Sequence, residues 1–157
     1  MSPRRGAIHE ELQQTRPFPS KREEAFVALL RTAAVVRRPV MHVMERRGIS
    51  MAQYNVLRIL RGAGPDGRRC GDISESLVTR EPDTTRLLDR MARRGLISRA
   101  RSETDRRVVL TRITPEGLEL LGRIDGPLAA LHDKQFGTLS PEQVATLVRL
   151  LELTRKS

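Results

Sequence analysis

The stretch ISRARSETDRRVVLTRITPEG, Ile97 to Gly117, constrains this chain more than any other. Ile97 to Arg101 and Val108 to Ile113 carry strand-forming residues, and the polar run Ser102 to Arg107 between them reads as the tip of a hairpin. The second strand must stop at once, because Thr114 offers a helix N-cap and Pro115 suits the first helical position. An isolated hairpin is marginal in water and needs something to pack on. Helical spacing of the apolar residues on both sides of it supplies that something.

Upstream, Ser20 with Glu23 three residues on forms a capping box. Phe26, Leu29, Leu30, Ala33, Val36, Val40 and Met44 then recur at helical spacing as far as Gly48, and Pro39 should kink or divide this helix. Ser50 and Gln53 make a second capping box, opening a short helix with Tyr54, Leu57 and Leu60 that the Gly62-to-Gly67 loop closes. Cys70, Ile73 and Leu77 give one further short amphipathic helix. In the next, Pro82 suits the first turn, Leu87, Leu88 and Met91 form the buried stripe, and Gly95 suits a left-handed C-terminal cap. Two short helices joined by a tight turn make a helix-turn-helix, and a hairpin directly after the second helix makes a wing. Downstream, Leu118, Leu121, Ile124, Leu128 and Leu131 continue at helical spacing past a bend expected at Pro127. Ser140, Pro141 and Gln143 start a last helix bearing Val144, Leu147 and Leu151.

The expected fold is mainly α with a small β-hairpin: a winged helix-turn-helix with flanking N- and C-terminal dimerisation helices. Residues 1–19 read as a flexible basic arm and 20–157 as one domain. Within it, 20–48 and 114–157 supply the dimerisation helices and 50–113 the DNA-binding lobe. The first and the last two helices carry apolar stripes with little in the chain to cover them, which argues for a homodimer.

Charge points to the partner. The formal net charge is +10, and 26 of the 29 basic residues are arginine. From Glu81 to Arg112 there are nine arginines against five acids. A concentrated positive field attracts phosphate, and the major groove of DNA admits a helix. The exposed side of Pro82 to Arg94, with Asp83, Thr84, Thr85, Arg86 and Arg90, is the candidate reader. Arg86 could donate two hydrogen bonds to a guanine edge, Thr84 or Thr85 could meet a phosphate or a thymine methyl, and Asp83 could accept from a cytosine amine. At the wing tip Arg106 and Arg107 are candidate contacts, Arg107 suiting the narrow minor groove. Asp105 repels phosphate, so its expected role is to accept hydrogen bonds from neighbouring arginines and brace the tip. A two-fold dimer would set two reading helices roughly 34 Å apart and require a palindromic operator.

The segment TTRLLDRMARRGLISRARSETDRRVVLTRITPEG closely resembles the recognition helix and wing of the multiple antibiotic resistance regulator (MarR) family. Asp105-Arg106-Arg107 followed by a strand and Thr-Pro-Glu-Gly is the most specific part. The resemblance also covers GISMAQYNVLRIL, and so runs from about Ser20 to the C-terminus. It implies a homodimeric winged helix-turn-helix transcription regulator, most often a repressor, with Arg107 in the minor groove and Asp105 bracing it. It further implies a small aromatic or phenolic effector in a cleft beside the first two helices, where His42, Met44, Arg46, Tyr54 and Arg58 are candidate lining. Pro39 and Glu81-Pro82-Asp83 depart from the family's common pattern.

Other classes find less support. Cys70 is the only cysteine, so no intrachain disulfide can form. It sits at an apolar position and reads as a small buried hydrophobe, the alternative being a redox-responsive regulator. His9, His42 and His132 lack the short spacings of a metal site. No phosphate-cradling loop or nucleophile with a base is evident, so neither catalysis nor a cofactor is expected. The N-terminus lacks the apolar run of a signal peptide, and no segment approaches a membrane span, so a cytoplasmic location is expected. The competing class is a winged-helix interaction module binding an acidic protein partner.

Overall fold

Five of the helices in this chain begin at a side chain that takes over hydrogen bonding the helix end leaves open: Ser20, Ser50, Asp83, Thr114 and Ser140. The computed structural model describes residues 7–156, in the order α1 (Ala7–Glu11), α2 (Lys21–Glu45), α3 (Met51–Ala63), a 3-10 turn (Gly64–Asp66), β1 (Arg68–Arg69), α4 (Cys70–Ser76), α5 (Thr84–Arg93), β2 (Ile97–Arg101), β3 (Val109–Ile113), α6 (Pro115–Phe136) and α7 (Pro141–Arg155). The reciprocal capping boxes expected at Ser50/Gln53 and Ser140/Gln143 both form. At Ser20 the hydroxyl accepts from the Glu23 amide at 3.1 Å. Each such cap is worth about 1 kcal/mol.

The chain divides into two compact units, one up to Pro39 and one from Val40. In the first, the segment read as a flexible arm lies partly outside the described residues. The described part carries α1, whose His9 is buried and donates through Nε2 to the Arg16 carbonyl at 2.9 Å. The Phe18 ring meets the His9 ring edge-on, and Arg31 pairs with Glu11 at 2.7 Å. Helix α2 is not divided at Pro39; helical geometry continues through it to Glu45. Likewise α6 runs unbroken past Pro127.

The second unit holds the apolar core. Tyr54, Val56, Leu57 and Leu60 of α3 meet Ile73 of α4 and Leu87, Leu88 and Met91 of α5. Leu121, Ile124 and Leu128 of α6 complete it together with Met44, Ile49, Leu96 and Ile97. Truncating any one of these leucines to alanine would cost about 2–5 kcal/mol. The sheet has the order β1-β3-β2, all antiparallel, with Arg101 opposite Val109 and Ile97 opposite Ile113. The two-residue strand β1, paired through Arg68 and Arg69 to β3, is an addition to the expected hairpin.

The junction between α5, the sheet and α6 depends on two glycines. Gly95 takes φ +72°, and the following Leu96 amide returns to the Met91 carbonyl at 3.1 Å, closing α5 in the expected left-handed cap. Gly117, in the first turn of α6, lies so close to Leu96 that a Cβ there would meet its carbonyl oxygen at 2.3 Å. Thr114 spans the same junction: its hydroxyl donates to the Gly95 carbonyl at 2.6 Å and accepts from the Gly117 amide at 3.1 Å.

Candidate nucleic-acid interface

Helix α5 begins at Thr84, two residues later than the sequence suggested. Pro82 lies ahead of it, and Asp83 is the N-cap, its Oδ1 accepting from the Arg86 amide at 2.9 Å. A carboxylate at this end satisfies an open amide and suits the helix dipole, which explains why the helix starts after Asp83 rather than at the proline. The acid expected to read a cytosine therefore has one oxygen committed to its own backbone. Thr84 is corrected more fully: it is buried, and its hydroxyl donates to Ser74 Oγ at 3.1 Å, joining α5 to α4. It faces the core, not the groove side.

The remaining candidates on α5 stand where they were expected. With Leu87, Leu88 and Met91 buried, Thr85, Arg86 and Arg90 are exposed. The Thr85 hydroxyl lies 3.6 Å from the sulfur of Cys70, a half-buried residue packed against the core. Arg94, at the far end of α5, donates to the Gly48 carbonyl at 2.8 Å and so ties this helix to the turn before α3.

The hairpin tip closes by local hydrogen bonds. Ser102 donates its amide to the Val108 carbonyl at 2.8 Å, and Val108 donates to the Asp105 carbonyl at 2.9 Å. The Asp105 carboxylate accepts from the Arg107 backbone amide at 2.9 Å rather than from a guanidinium. Arg106 and Arg107 are exposed. Among the described residues, the guanidiniums of Arg86, Arg90, Arg106 and Arg107 have no ion-pair or hydrogen-bond partner in the protein, and Arg93 at the end of α5 is likewise unpaired.

One pair escaped the sequence reading. Asp89, one turn on from Arg86, forms an ion pair with Arg99 of β2, whose side chain is only 23% exposed. The signal was present in the alternation of β2: Ile97 points inward, so Arg99 two residues later shares its face. A surface depression at this junction is lined by Asp89, Ala92, Arg93, Arg99 and Val109.

The five effector candidates are only partly brought together. The Arg58 guanidinium sits 5.8 Å from the centre of the Tyr54 ring, and Tyr54 is buried beside the Arg61–Asp125 ion pair. Burial pushes the Tyr54 phenol above its ordinary value; Asp125 adds to the rise, while Arg58 and Arg61 oppose it. Met44 is fully buried in the core and so offers no surface to a ligand, a correction to its expected role. His42 and Arg46 are exposed, with His42 Nδ1 4.0 Å from Glu45. Among the described residues no group of three or more metal-ligating side chains is positioned to hold an ion. No helix among them is long and apolar enough to cross a membrane.

A helix with free arginines, packed beside a three-stranded sheet whose hairpin presents two more, defines a winged helix-turn-helix of the DNA-binding kind. Comparison with known proteins agrees. The model of the MarR family matches residues 49–109. The structure of a MarR transcription factor from Planctomyces limnophilus is 37% identical, aligns over 87% of this chain and 98% of its own, and gives a TM-score of 0.66. The transcriptional repressor CouR, solved bound to a 23-mer DNA duplex, is 26% identical over 90% of this chain and 99% of its own, with a TM-score of 0.75. The HTH-type transcriptional repressor IacR of Pseudomonas putida is 27% identical over 133 residues, 85% of this chain and 78% of IacR. The chain belongs to the MarR family, whose members are transcription regulators rather than enzymes, and it binds DNA.

Proposed function

We propose that this protein is a repressor that binds a palindromic operator as a homodimer and is released by a small aromatic or phenolic effector. The observation that carries the DNA-reading part is the unpartnered guanidiniums of Arg86, Arg90, Arg106 and Arg107 on α5 and the wing tip. Arg86 and Arg90 on the helix are suited to base edges and phosphates, Thr85 to a phosphate or thymine methyl, and Arg106 and Arg107 to the backbone and minor groove. The repressor role draws support from CouR and IacR, both named repressors. Dimerisation draws support from apolar side chains left uncovered: Phe26 is 60% exposed on α2, and Val148, Leu150 and Leu153 are half exposed on α7. Leu150 and Leu153, three residues apart, share one face of α7, and contiguous apolar surface of this kind marks an interaction site. The effector reading rests on the exposed Arg46 and Arg58 cations, whose charge suits an aromatic acid.

The test is fluorescence-anisotropy binding to the DNA upstream of the protein's own gene, against scrambled DNA of equal length, across salt. A dimer making about eight phosphate contacts gives a log–log salt slope near −7. Selective binding with such a slope, weakened by Arg86→Ala and by Arg107→Ala, and lowered by a hydroxybenzoate, supports the whole reading. Equal weak binding to both DNAs, followed by failure of genomic selection to recover any preferred site, would remove the operator from it.

A further inference from the structure

A half-buried arginine is an expensive way to hold a hairpin in place. Arg99 Nε is buried and has no hydrogen-bond partner among the described residues, and the same is true of Thr111 Oγ1, the residue opposite Arg99 across the β2–β3 ladder. A polar group left unsatisfied in the interior costs stability, and an ion pair whose Asp89 carboxylate is half exposed adds little stability of its own. What such a pair does supply is direction, because the guanidinium is planar and meets a carboxylate in a fixed fork. Asp89 lies on the reading helix and Arg99 on the strand that leads into the wing tip, so the pair joins the two parts of the interface. From Arg99 the strand continues only two residues, to Arg101, before the tip that carries Arg106 and Arg107.

We propose that Asp89 and Arg99 are positioning residues that fix the angle of the wing against the reading helix, so that Arg86 and Arg107 engage one DNA site together. The inference rests on the DNA-contact reading above. It assigns the pair no contact with DNA: the ion pair acts through the placement of Arg107. Its signature is a coupling: with the pair removed, the wing no longer delivers Arg107 to its place, and losing the Arg107 side chain should then matter less.

The test is a double-mutant cycle on the full chain. Asp89→Leu/Arg99→Met removes one charge of each sign, so the net charge of the lobe is unchanged and general attraction to phosphate is preserved. Affinity is read by anisotropy on a duplex recovered by selection from genomic fragments, and thermal unfolding is followed alongside. The expected result is an unfolding temperature within about 4 °C of that of the parent, with affinity lower by about tenfold. In the parent, Arg107→Ala costs about tenfold; in the paired variant it costs less than about twofold. Unchanged affinity in the paired variant, or an equal cost of Arg107→Ala in both backgrounds, overturns the proposal while leaving the contact reading intact. If Arg86→Ala and Arg107→Ala are both neutral in the parent, the contact reading itself fails and takes this one with it. Should the paired variant not fold, Arg99→Lys keeps the charge but loses the fixed fork, and there too Arg107→Ala must cost less than in the parent.

Discussion

Asp105 Oδ1 lies 2.9 Å from the backbone nitrogen of Arg107 and accepts its hydrogen. An acid between strands rich in arginine thereby spends itself on the main chain. Both neighbouring guanidiniums stay unpaired and face outward, and the turn that carries them is held by a bond independent of their side chains. The tip is built so that shape and charge come from different atoms.

That separation gives the first prediction. Asp105→Ala removes the acceptor and should weaken operator binding by about fivefold, corresponding to roughly 1 kcal/mol for one lost hydrogen bond. Its melting temperature should hardly change, because the loop is exposed. Asp105→Asn keeps an acceptor oxygen and removes a charge that repels phosphate, so it should bind as tightly as the parent or more so. Anisotropy titrations of the two variants decide the matter. Equal losses in both would mean that the carboxylate's charge, not its hydrogen bond, is what the tip needs.

The second prediction separates neighbours on α5. Thr84→Val keeps the shape of a buried side chain but orphans the Ser74 hydroxyl, costing about 1 kcal/mol of stability and roughly 3 °C of melting temperature, with affinity unchanged. Arg86→Ala should do the reverse: no loss of stability, and about 1–3 kcal/mol less binding with relaxed preference at one base position. Calorimetry and anisotropy on the same two proteins check both. A loss of affinity in Thr84→Val at constant stability would return Thr84 to the interface.

These two residues also show how far the sequence could be read. Most helices were legible because Ser50, Thr114 and Ser140 announce their starts and the apolar spacing fixes their faces. A hydroxyl suggests an outward-facing side chain, yet Thr84 stands three, four and seven residues before Leu87, Leu88 and Met91, on the buried stripe itself. Pro82 and Asp83 are competing start signals one residue apart, and capping by the carboxylate prevailed. Strand β1 could not be seen, since two arginines carry no strand pattern and only their pairing with Thr111 and Leu110 defines them. Met44 looked available to a ligand because spacing says which side of a helix is apolar, not what covers it. The Asp89–Arg99 pair joins residues ten apart on different elements, a relation that only the packing of β2 against α5 creates.

Gly117 yields a stability prediction. A methyl group there would meet the Leu96 carbonyl oxygen at 2.3 Å and the Ile113 side chain at 2.8 Å. The carbonyl belongs to the closure of α5 and cannot yield without disturbing the Thr114 bonds. Gly117→Ala should therefore destabilise by about 1–3 kcal/mol, or about 3–9 °C, even though alanine is the better helix former. Gly122, on the exposed side of the same helix, has open space around it, and Gly122→Ala should raise stability by about 0.5–1 kcal/mol. Thermal unfolding of the pair tests the contrast; a stable Gly117→Ala would mean that α6 can shift away from the sheet.

The last prediction concerns Tyr54, the chain's single tyrosine in a protein without tryptophan. Its phenol is raised above the ordinary value chiefly by burial, Arg58 opposing and Asp125 assisting. The unfolded chain would release that proton at the ordinary value, so the folded state holds it longer. The contribution to stability is complete below the ordinary phenol pKa and is lost as pH rises through the folded one. Phenolate absorbance reports this group alone: the midpoint in the native protein should lie above that in denaturant. Asp125→Asn should lower it, by removing a nearby negative charge and by freeing Arg61 from its ion pair. A native midpoint at or below the denatured one would show that the Arg58 and Arg61 charges outweigh burial. In that case Tyr54 would be a better acceptor than donor for any ligand beside it.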